Sequence, residues 1–182
     1  MNIPELFSTA VVLIDMQERL VPAMTAAAEC LNRQKVLLEA AKVLKLDVLV
    51  SEQYPSGLGS TVGEIKAVLP ENTPVIAKTS FSCFGESAFV AALEAQKRKS
   101  LIIAGIESHV CVYQSVMDAL SRKYEVFVLA DAVTSRLEES KKLALSAMRH
   151  AGANVINVEA ALFLLLRDAR HPDFKAIAKL VR

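Results

Sequence analysis

Three reactive side chains in this chain of 182 residues each follow a short apolar run. Asp15 ends AVVLID, Lys78 ends PVIAK, and Cys111 comes soon after LIIAG. Apolar runs of this length are typical of strands that are buried on both faces, and parallel strands bring their carboxyl ends to one edge of a sheet. An acid, an amine and a thiol at that edge predict nucleophilic catalysis.

Cys111 is the candidate nucleophile because it lies at the start of VCVYQSVMDAL, an amphipathic helical pattern. A thiol at this position lies near the positive end of the helix dipole, and a neighbouring ammonium also favours the thiolate. We therefore expect the pKa of Cys111 to lie below the ordinary thiol value of about 8.5. The alternative is a small packed residue of the core, which is the usual role of an isolated cysteine.

Strands and helices alternate along the whole chain. The apolar runs predict six strands, at residues 9–15, 47–52, 74–78, 101–105, 125–131 and 154–158. Helical patterns lie at residues 26–46, 62–68, 86–96, 110–120 and 138–150, with a last helix that begins at Pro172. This alternation predicts right-handed crossovers and a parallel sheet. We expect one α/β domain over residues 1–182, a Rossmann-like three-layer α/β/α sandwich with a six-stranded parallel sheet.

The composition limits the class of protein. Hydrophobic residues make up 53% of the chain and the net charge is +1, which excludes a mainly disordered chain. No basic face accumulates, so we expect neither nucleic acid nor a membrane as a partner. No apolar run reaches the roughly 20 residues that span a bilayer. Three cysteines without metal-site spacing indicate a reducing compartment, and we expect a cytoplasmic protein.

Cofactor motifs find no support in the sequence. Gly57, Gly59 and Gly63 follow the second predicted strand, and their spacing is one residue too long for the dinucleotide fingerprint. The sequence contains neither the P-loop motif nor the nucleophile elbow of serine hydrolases. The three histidines are far apart and form no ligand pair with helical spacing. We expect neither a cofactor nor a metal.

Several segments resemble a known family. GIESHVCV, residues 105–112, resembles the nucleophile loop of the isochorismatase-like cysteine hydrolases, which include the nicotinamidases. AVVLIDMQ at 10–17 resembles their first strand, AKTSFS at 77–82 their lysine segment, and DAVTSR at 131–136 the loop after their fifth strand. SEQYPSGLGSTV, residues 51–62, is most similar to the isochorismatase-domain-containing proteins. The resemblance covers nearly the whole chain in the family's order.

The resemblance implies a role for each reactive residue. Cys111 is implied as the nucleophile, Asp15 as the general base that takes its proton, and Lys78 as the cation that favours both anionic forms. The resemblance also implies a cis peptide bond between Ile106 and Glu107. It further implies an oxyanion hole formed by the backbone N–H groups of Glu107 and Cys111.

Two departures from the family pattern narrow the range of possible substrates. Nicotinamidases carry metal-binding Asp and His residues after the second strand, whereas residues 51–54 of this chain read SEQY. The resemblance therefore argues against a nicotinamidase with a transition metal. Enzymes that act on isochorismate lack the cysteine nucleophile, so Cys111 argues against isochorismate as the substrate.

Five further residues belong to the expected crevice. Tyr54, Phe81 and Phe84 fall on loops, where they either form an apolar wall for the substrate or pack beneath the loops. Gln17 either orients the catalytic acid, contacts the substrate or caps the next turn. His109 either lines the site or is an ordinary loop residue.

The sequence therefore predicts a cofactor-independent cysteine hydrolase that cleaves a C–N bond, as in an amide, of a small molecule through a covalent Cys111 intermediate. The alternative is a non-catalytic member of the fold that binds a small molecule or a protein. A redox role for Cys111 and Cys83 is a third hypothesis, against which the absence of C-x-x-C spacing counts. The apolar segment AALFLLL, residues 160–166, and the family's usual assembly predict a homo-oligomer.

Overall fold

A computed structural model describes residues 3–182, and six parallel strands form its single sheet. The strands are β1 (Thr9–Ile14), β2 (Asp47–Gln53), β3 (Val75–Lys78), β4 (Ser100–Ile106), β5 (Glu125–Thr134) and β6 (Asn154–Ile156). Their order across the sheet is β3-β2-β1-β4-β5-β6. Every neighbouring pair is parallel, because each connection crosses back through the helical layers. The predicted α/β class and six-stranded parallel sheet are confirmed.

Helices cover both faces of the sheet. They are α1 (Ala27–Leu44), α2 (Pro55–Leu58), α3 (Gly63–Lys66), α4 (Ser87–Ala95), α5 (Tyr113–Ser121), α6 (Glu138–His150), α7 (Val158–Leu166) and α8 (Phe174–Leu180). A π-helical turn, Ser108–Val112, joins β4 to α5. Between residues 3 and 182 no helix combines the length and the apolar character needed to span a membrane.

Two apolar clusters, one on each face of the sheet, form the core. Alternate side chains of β1 point into opposite clusters, with Val11 and Leu13 on one face and Val12 and Ile14 on the other. The first cluster packs the sheet against α1, α7 and α8, and the second packs it against α4, α5 and α6. Burial of β1 on both faces explains why its sequence is continuously apolar.

The last two strands differ in extent from their predicted ranges. The prediction ends the fifth strand at residue 131, but β5 continues to Thr134 after a register shift opposite Ile103 and Gly105. The sixth strand was predicted to reach residue 158, but β6 ends at Ile156. It ends there because the side chain of Asn157 accepts a hydrogen bond from the backbone N–H of Ala160 and so caps α7.

Gly105 allows the two central strands to approach closely at the edge where the reactive residues lie. Its φ is +124°, and a Cβ at this position would lie 2.1 Å from the backbone oxygen of Ile14. No other residue fits there, because a side chain would collide with β1 at its last residue. β1 and β4 therefore end side by side, and Asp15 and the turn that carries Cys111 leave from neighbouring strands.

Candidate active site

Asp15 leaves the carboxyl end of β1 in the left-handed backbone conformation, with a φ of 54°. Its carboxylate is completely buried and holds two strong donors. The hydroxyl of Ser51 donates to Oδ1 at 2.7 Å, and the ammonium of Lys78 donates to Oδ2 at 2.7 Å. A buried carboxylate needs such partners, since its charge is costly without them.

Lys78 is the last residue of β3, and its ammonium is 2% exposed and enclosed by oxygen acceptors. Besides Asp15, the nitrogen reaches Oε1 of Gln53 at 2.6 Å and the backbone oxygens of Phe81 at 3.1 Å and Ser80 at 3.3 Å. These contacts replace the lost hydration of the cation. They also fix it at one corner of the site.

Cys111 lies in the π-helical turn after β4, and its side chain is 7% exposed. The negative charge of Asp15 and the positive charge of Lys78 both act on its thiol. The structure thus brings Asp15 and Lys78 into direct contact and places the Cys111 thiol within reach of both charges.

Burial raises the pKa of the Cys111 thiol to about 12, and the negative charge of Asp15 acts in the same direction. Lys78 lowers this pKa but does not compensate for the other two effects. The structure therefore contradicts the predicted low pKa. The reason is local, because α5 begins at Tyr113 and Cys111 belongs to the preceding π-helical turn, where it is buried beside a carboxylate. At rest the sulfur therefore carries its proton.

The peptide bond between Ile106 and Glu107 is cis. The carboxylate of Glu107 accepts hydrogen bonds from both the backbone N–H and Nε of Arg136, each at 3.0 Å. This double contact links the start of the nucleophile turn to the loop that follows β5. Through these contacts the side chain of Glu107 fixes the position of its own backbone.

Two of the three predicted wall aromatics lie at the surface beside Lys78. Tyr54 is 56% exposed and Phe81 is 53% exposed. Tyr54 donates its backbone N–H to the backbone oxygen of Lys78 at 2.8 Å, and Phe81 accepts from the Lys78 ammonium through its own backbone oxygen. The backbones of both residues thus contact Lys78, and we call these two exposed aromatic residues the aromatic rim.

Phe84 and Gln17 are buried instead. The ring of Phe84 packs edge-on against Phe89 with ring centres 6.0 Å apart, and the guanidinium of Arg122 lies 5.3 Å above it. Gln17 donates to the backbone oxygens of Gln53 and Gly59 at 2.9 and 2.7 Å, and its Oε1 accepts from the Gln53 N–H. These two side chains support the loops from beneath.

His109 lies in the π-helical turn of Cys111 and contacts the loop after β5. Its Nδ1 lies 3.0 Å from the hydroxyl of Ser135. Together with Arg136, Leu137 and Ser140 it lines a separate surface cavity of about 350 Å³. The cavity lined by His109 contains none of the three reactive residues.

The sequence analysis did not single out Ser51 and Gln53, which contact Asp15 and Lys78 directly. Both residues lie on β2 and point to the same side, since they are two positions apart. Ser51 pairs with Ile14, the residue before Asp15, so only the register between β1 and β2 reveals its role. The sequence did contain one signal of their role, because these two polar residues lie two positions apart at the end of an apolar run.

Within residues 3–182 the structure contains no group of three or more His, Cys, Asp or Glu side chains arranged to hold a metal ion. The lysine ammonium occupies the centre of the polar cluster and satisfies its acceptors. The arrangement supports proton transfer between sulfur and carboxylate with a fixed cation beside them.

The profile of the isochorismatase domain matches residues 9–160, so the chain belongs to the isochorismatase family. It is 38% identical over 168 residues to isochorismatase domain-containing protein 1 of Salmo salar, covering 92% of this chain and 59% of that protein. It is 35% identical over 174 residues to isochorismatase domain-containing protein 2 of Xenopus laevis, covering 96% and 83%. The chain therefore spans well under two thirds of the first of these relatives.

Solved structures show the same fold. A Caenorhabditis elegans protein named MAR1 ribonuclease has a TM-score of 0.94 and 36% identity, covering 99% of this chain and 92% of that one. YcaC of Escherichia coli, described as an octameric hydrolase of unknown specificity, has a TM-score of 0.93 and 29% identity, covering 99% and 89%. YcaC of Pseudomonas aeruginosa, solved with hexane-2,5-diol and covalent acrylamide, has a TM-score of 0.91 and 28% identity, covering 98% and 91%.

Proposed function

We propose that this protein is a cofactor-independent cysteine hydrolase that cleaves a C–N bond, as in an amide, of a small molecule. The observation that carries the proposal is the setting of the Cys111 thiol, on which the charges of Asp15 and Lys78 both act, while Lys78 donates a hydrogen bond to the Asp15 carboxylate. This arrangement matches a nucleophile next to a base that a third group orients. Membership of the isochorismatase family supports a hydrolase.

The first half of the reaction forms a thioester. Asp15 takes the thiol proton as the sulfur of Cys111 attacks the carbonyl carbon, and the carbonyl electrons move to oxygen. The backbone N–H groups of Glu107 and Cys111 stabilise that oxyanion, each by roughly 3–4 kcal/mol. When the tetrahedral intermediate collapses, the C–N bond breaks and Asp15 returns its proton to the leaving nitrogen.

The second half releases the product. Water attacks the thioester carbon while Asp15 takes one of its protons, and the C–S bond then breaks as the sulfur recovers a proton from Asp15. The raised pKa of Cys111 fits this scheme, because sulfur ionises only as it attacks and is neutral between turnovers. Lys78 stays paired with Asp15 throughout and limits the motion of the base.

The aromatic rim of Tyr54 and Phe81 contacts the apolar part of the substrate in this proposal. Both residues are exposed and contact Lys78, the residue that holds the base, through their backbones, and aromatics beside a polar cluster are typical of ligand sites. His109, in the same turn as Cys111, lines a separate cavity and has no role in this proposal. The covalent acrylamide in Pseudomonas aeruginosa YcaC supports a site of this fold that accepts a small amide.

An activity screen over small amides, ureas and carbamoyl compounds tests the proposal. We expect release of ammonia or amine by the wild-type protein and none by Cys111→Ala. Cys30→Ala is the matched control, since Cys30 is a buried cysteine in α1, lies away from the three catalytic candidates and should leave turnover unchanged. Full activity of Cys111→Ala would remove Cys111 as the nucleophile.

The likeness to the Caenorhabditis elegans protein named MAR1 ribonuclease favours RNA cleavage as a second candidate. The two hypotheses differ in the bond that breaks, P–O in RNA and C–N in a small amide. Incubation of a labelled single-stranded RNA with wild-type protein and with Cys111→Ala separates them. Cleavage that survives in Cys111→Ala would assign it to another site or to a contaminant.

The same proposal includes assembly and location. The octameric state described for Escherichia coli YcaC supports a homo-oligomer here. Light scattering at micromolar concentration tests it, and a strictly monomeric mass would contradict it. We also propose a cytoplasmic location without a membrane partner, which fractionation of cells that express the protein tests. The first candidate function includes no nucleic-acid partner, and the RNA incubation described above tests that part.

A further inference from the structure

A chain of buried hydrogen bonds runs from α5 to the catalytic candidate Asp15. The backbone N–H of Cys83 donates to the hydroxyl of Ser115 at 2.9 Å. The Cys83 thiol donates to the hydroxyl of Ser51 at 3.5 Å, a normal distance for sulfur, and Ser51 donates to Oδ1 of Asp15 at 2.7 Å. All four side chains are buried, so water does not compete for these contacts.

The two side-chain hydrogen bonds run in one direction, from Cys83 to Ser51 and from Ser51 to Asp15. A serine hydroxyl has a single proton, and Ser51 uses it on the carboxylate of Asp15. The remaining lone pairs of the Ser51 oxygen accept the thiol proton of Cys83. Burial raises the pKa of Cys83, so this thiol keeps the proton that it donates. Cys83 therefore fixes the rotation of the Ser51 hydroxyl, and Ser51 fixes one oxygen of the carboxylate.

We propose that Ser51 and Cys83 are positioning residues that set the plane of the Asp15 carboxylate relative to the Cys111 sulfur. This inference rests on the proposed role of Asp15 as the base. Lys78 holds one carboxylate oxygen, and a single anchor leaves the plane free to turn about it. The contact of Ser51 with the second oxygen removes that freedom and leaves one orientation for the proton from sulfur.

The chain also connects the base to the element that carries the nucleophile. Ser115 lies on α5, which continues directly from the turn of Cys111. A second contact from the same helix reinforces the link, since Ser82 donates to the carboxylate of Asp118 at 2.6 Å. The Cys111 sulfur and the two residues that hold Asp15, Ser51 and Cys83, are thus positioned relative to the same helix, α5. Such preorganisation matters because small misplacements of reacting groups have large effects on rate.

Addition of acrylamide to Cys111 tests this chain of hydrogen bonds and does not require the protein to hydrolyse an amide. The sulfur forms a bond to the terminal alkene carbon, the alkene electrons move to the neighbouring carbon, and the thiol proton ends on that carbon. The rate is followed by intact mass and by peptide mapping of Cys111. We expect Ser51→Ala to slow addition about tenfold and Ser51→Thr, which keeps the hydroxyl, to stay within about twofold of wild type.

Cys83 provides a second pair of variants. Cys83→Ser keeps a donor towards Ser51, whereas Cys83→Ala removes it, so we expect a slower reaction only for Cys83→Ala. The control is Ser100→Ala, which removes another buried hydroxyl that donates to a carboxylate, Glu125, at 3.0 Å and at the opposite end of the sheet. Its rate should equal that of wild type, with folding of each variant checked by circular dichroism.

The outcomes separate this inference from the proposed hydrolase activity. Equal rates for folded Ser51→Ala and Ser100→Ala would overturn the positioning role, and so would a loss in Ser51→Thr as large as in Ser51→Ala. Slow acrylamide addition in Ser51→Ala, together with a near wild-type rate in Ser51→Thr, supports the chain of hydrogen bonds even where no amide is hydrolysed. If wild-type Cys111 adds acrylamide no faster than Cys30, both the chain and the proposed nucleophile are overturned.

Discussion

The ammonium nitrogen of Lys78 lies 2.7 Å from Oδ2 of Asp15, and neither side chain has appreciable contact with solvent. A buried ion pair is stable only while both partners remain, because removal of one leaves an uncompensated charge in the interior. This pair therefore links the stability of the fold to the geometry of the proposed site. The pair also spans three neighbouring strands, because Asp15 follows β1, Lys78 ends β3, and β2 lies between them.

The pair predicts a strong non-additivity in stability. Lys78→Met leaves the Asp15 carboxylate buried without its cation and should lower the free energy of unfolding by about 3–5 kcal/mol. The double variant with Asp15→Asn removes both charges and should be more stable than Lys78→Met alone. Urea denaturation measures both values.

The exposed pair of Arg170 and Asp168 is the matched control for this experiment. Arg170→Ala should leave the urea midpoint unchanged, because a solvated ion pair contributes little to stability. A Lys78→Met variant as stable as wild type would show that Asp15 is not charged next to Lys78.

The ionisation of Cys111 predicts a pH dependence with a defined sign. The pKa of its thiol is about 12 in the folded protein against 9.0 as its ordinary value. Stability that comes from keeping the thiol protonated is therefore fully present below pH 9.0 and is lost as the pH rises towards 12. The difference in unfolding free energy between wild type and Cys111→Ala should thus shift against wild type above pH 9.0.

The same pKa predicts the profile of alkylation. The rate of acrylamide addition to Cys111 should rise steadily through the alkaline range, with no plateau near the ordinary thiol value of about 8.5. An unfolded sample in urea serves as the control and should reach its plateau in that ordinary range. A rate that saturates at the same pH in the folded protein as in the unfolded control would contradict the raised pKa.

Two phenylalanines three positions apart should respond differently to truncation. Phe84→Ala removes a ring buried between Phe89 and Arg122 and should lower the free energy of unfolding by about 3–5 kcal/mol. Phe81→Ala removes an exposed ring of the rim and should leave stability nearly unchanged while it raises KM for an apolar amide. Urea denaturation and steady-state kinetics measure the two effects, and a reversed pattern would place Phe84 in the substrate wall.

Gly105 should be the glycine least tolerant of substitution among three that differ in their surroundings. Gly105→Ala places a Cβ 2.1 Å from the backbone of Ile14 and should prevent stable folding. Gly152→Ala shares a positive φ of 109° but meets no atom within 4 Å, so it should cost only about 1 kcal/mol. Gly63→Ala should be neutral. Soluble yield and thermal unfolding check the order, and equal behaviour of Gly105→Ala and Gly152→Ala would contradict it.

The sequence contained enough to predict the elements and the reactive residues, because continuous apolar strands are readable and each reactive residue follows one. The sheet then brings Asp15 and Lys78 into direct contact, and the charges of both act on the Cys111 thiol. The role of Ser51 was not predictable in the same way. It depends on the register of β2 against β1, and register is a property of the assembled sheet.

The charge state of Cys111 shows a second limit of sequence reasoning. Helix dipole and lysine both favour a low pKa, and both were readable from the sequence. Burial has the larger effect, and its extent depends on how the π-helical turn packs next to Asp15. The same limit applies to the aromatics, since nothing in the sequence distinguishes the exposed Phe81 from the buried Phe84.

The most direct test of the account is a covalent intermediate on Cys111. An amide that the protein hydrolyses is mixed with it, quenched in acid after short times and examined by peptide mass mapping. The account predicts the acyl part of the substrate on the peptide that contains Cys111, appearing before product and absent once substrate is exhausted. Continued turnover with no adduct, or turnover by Cys111→Ala at the wild-type rate, would contradict it.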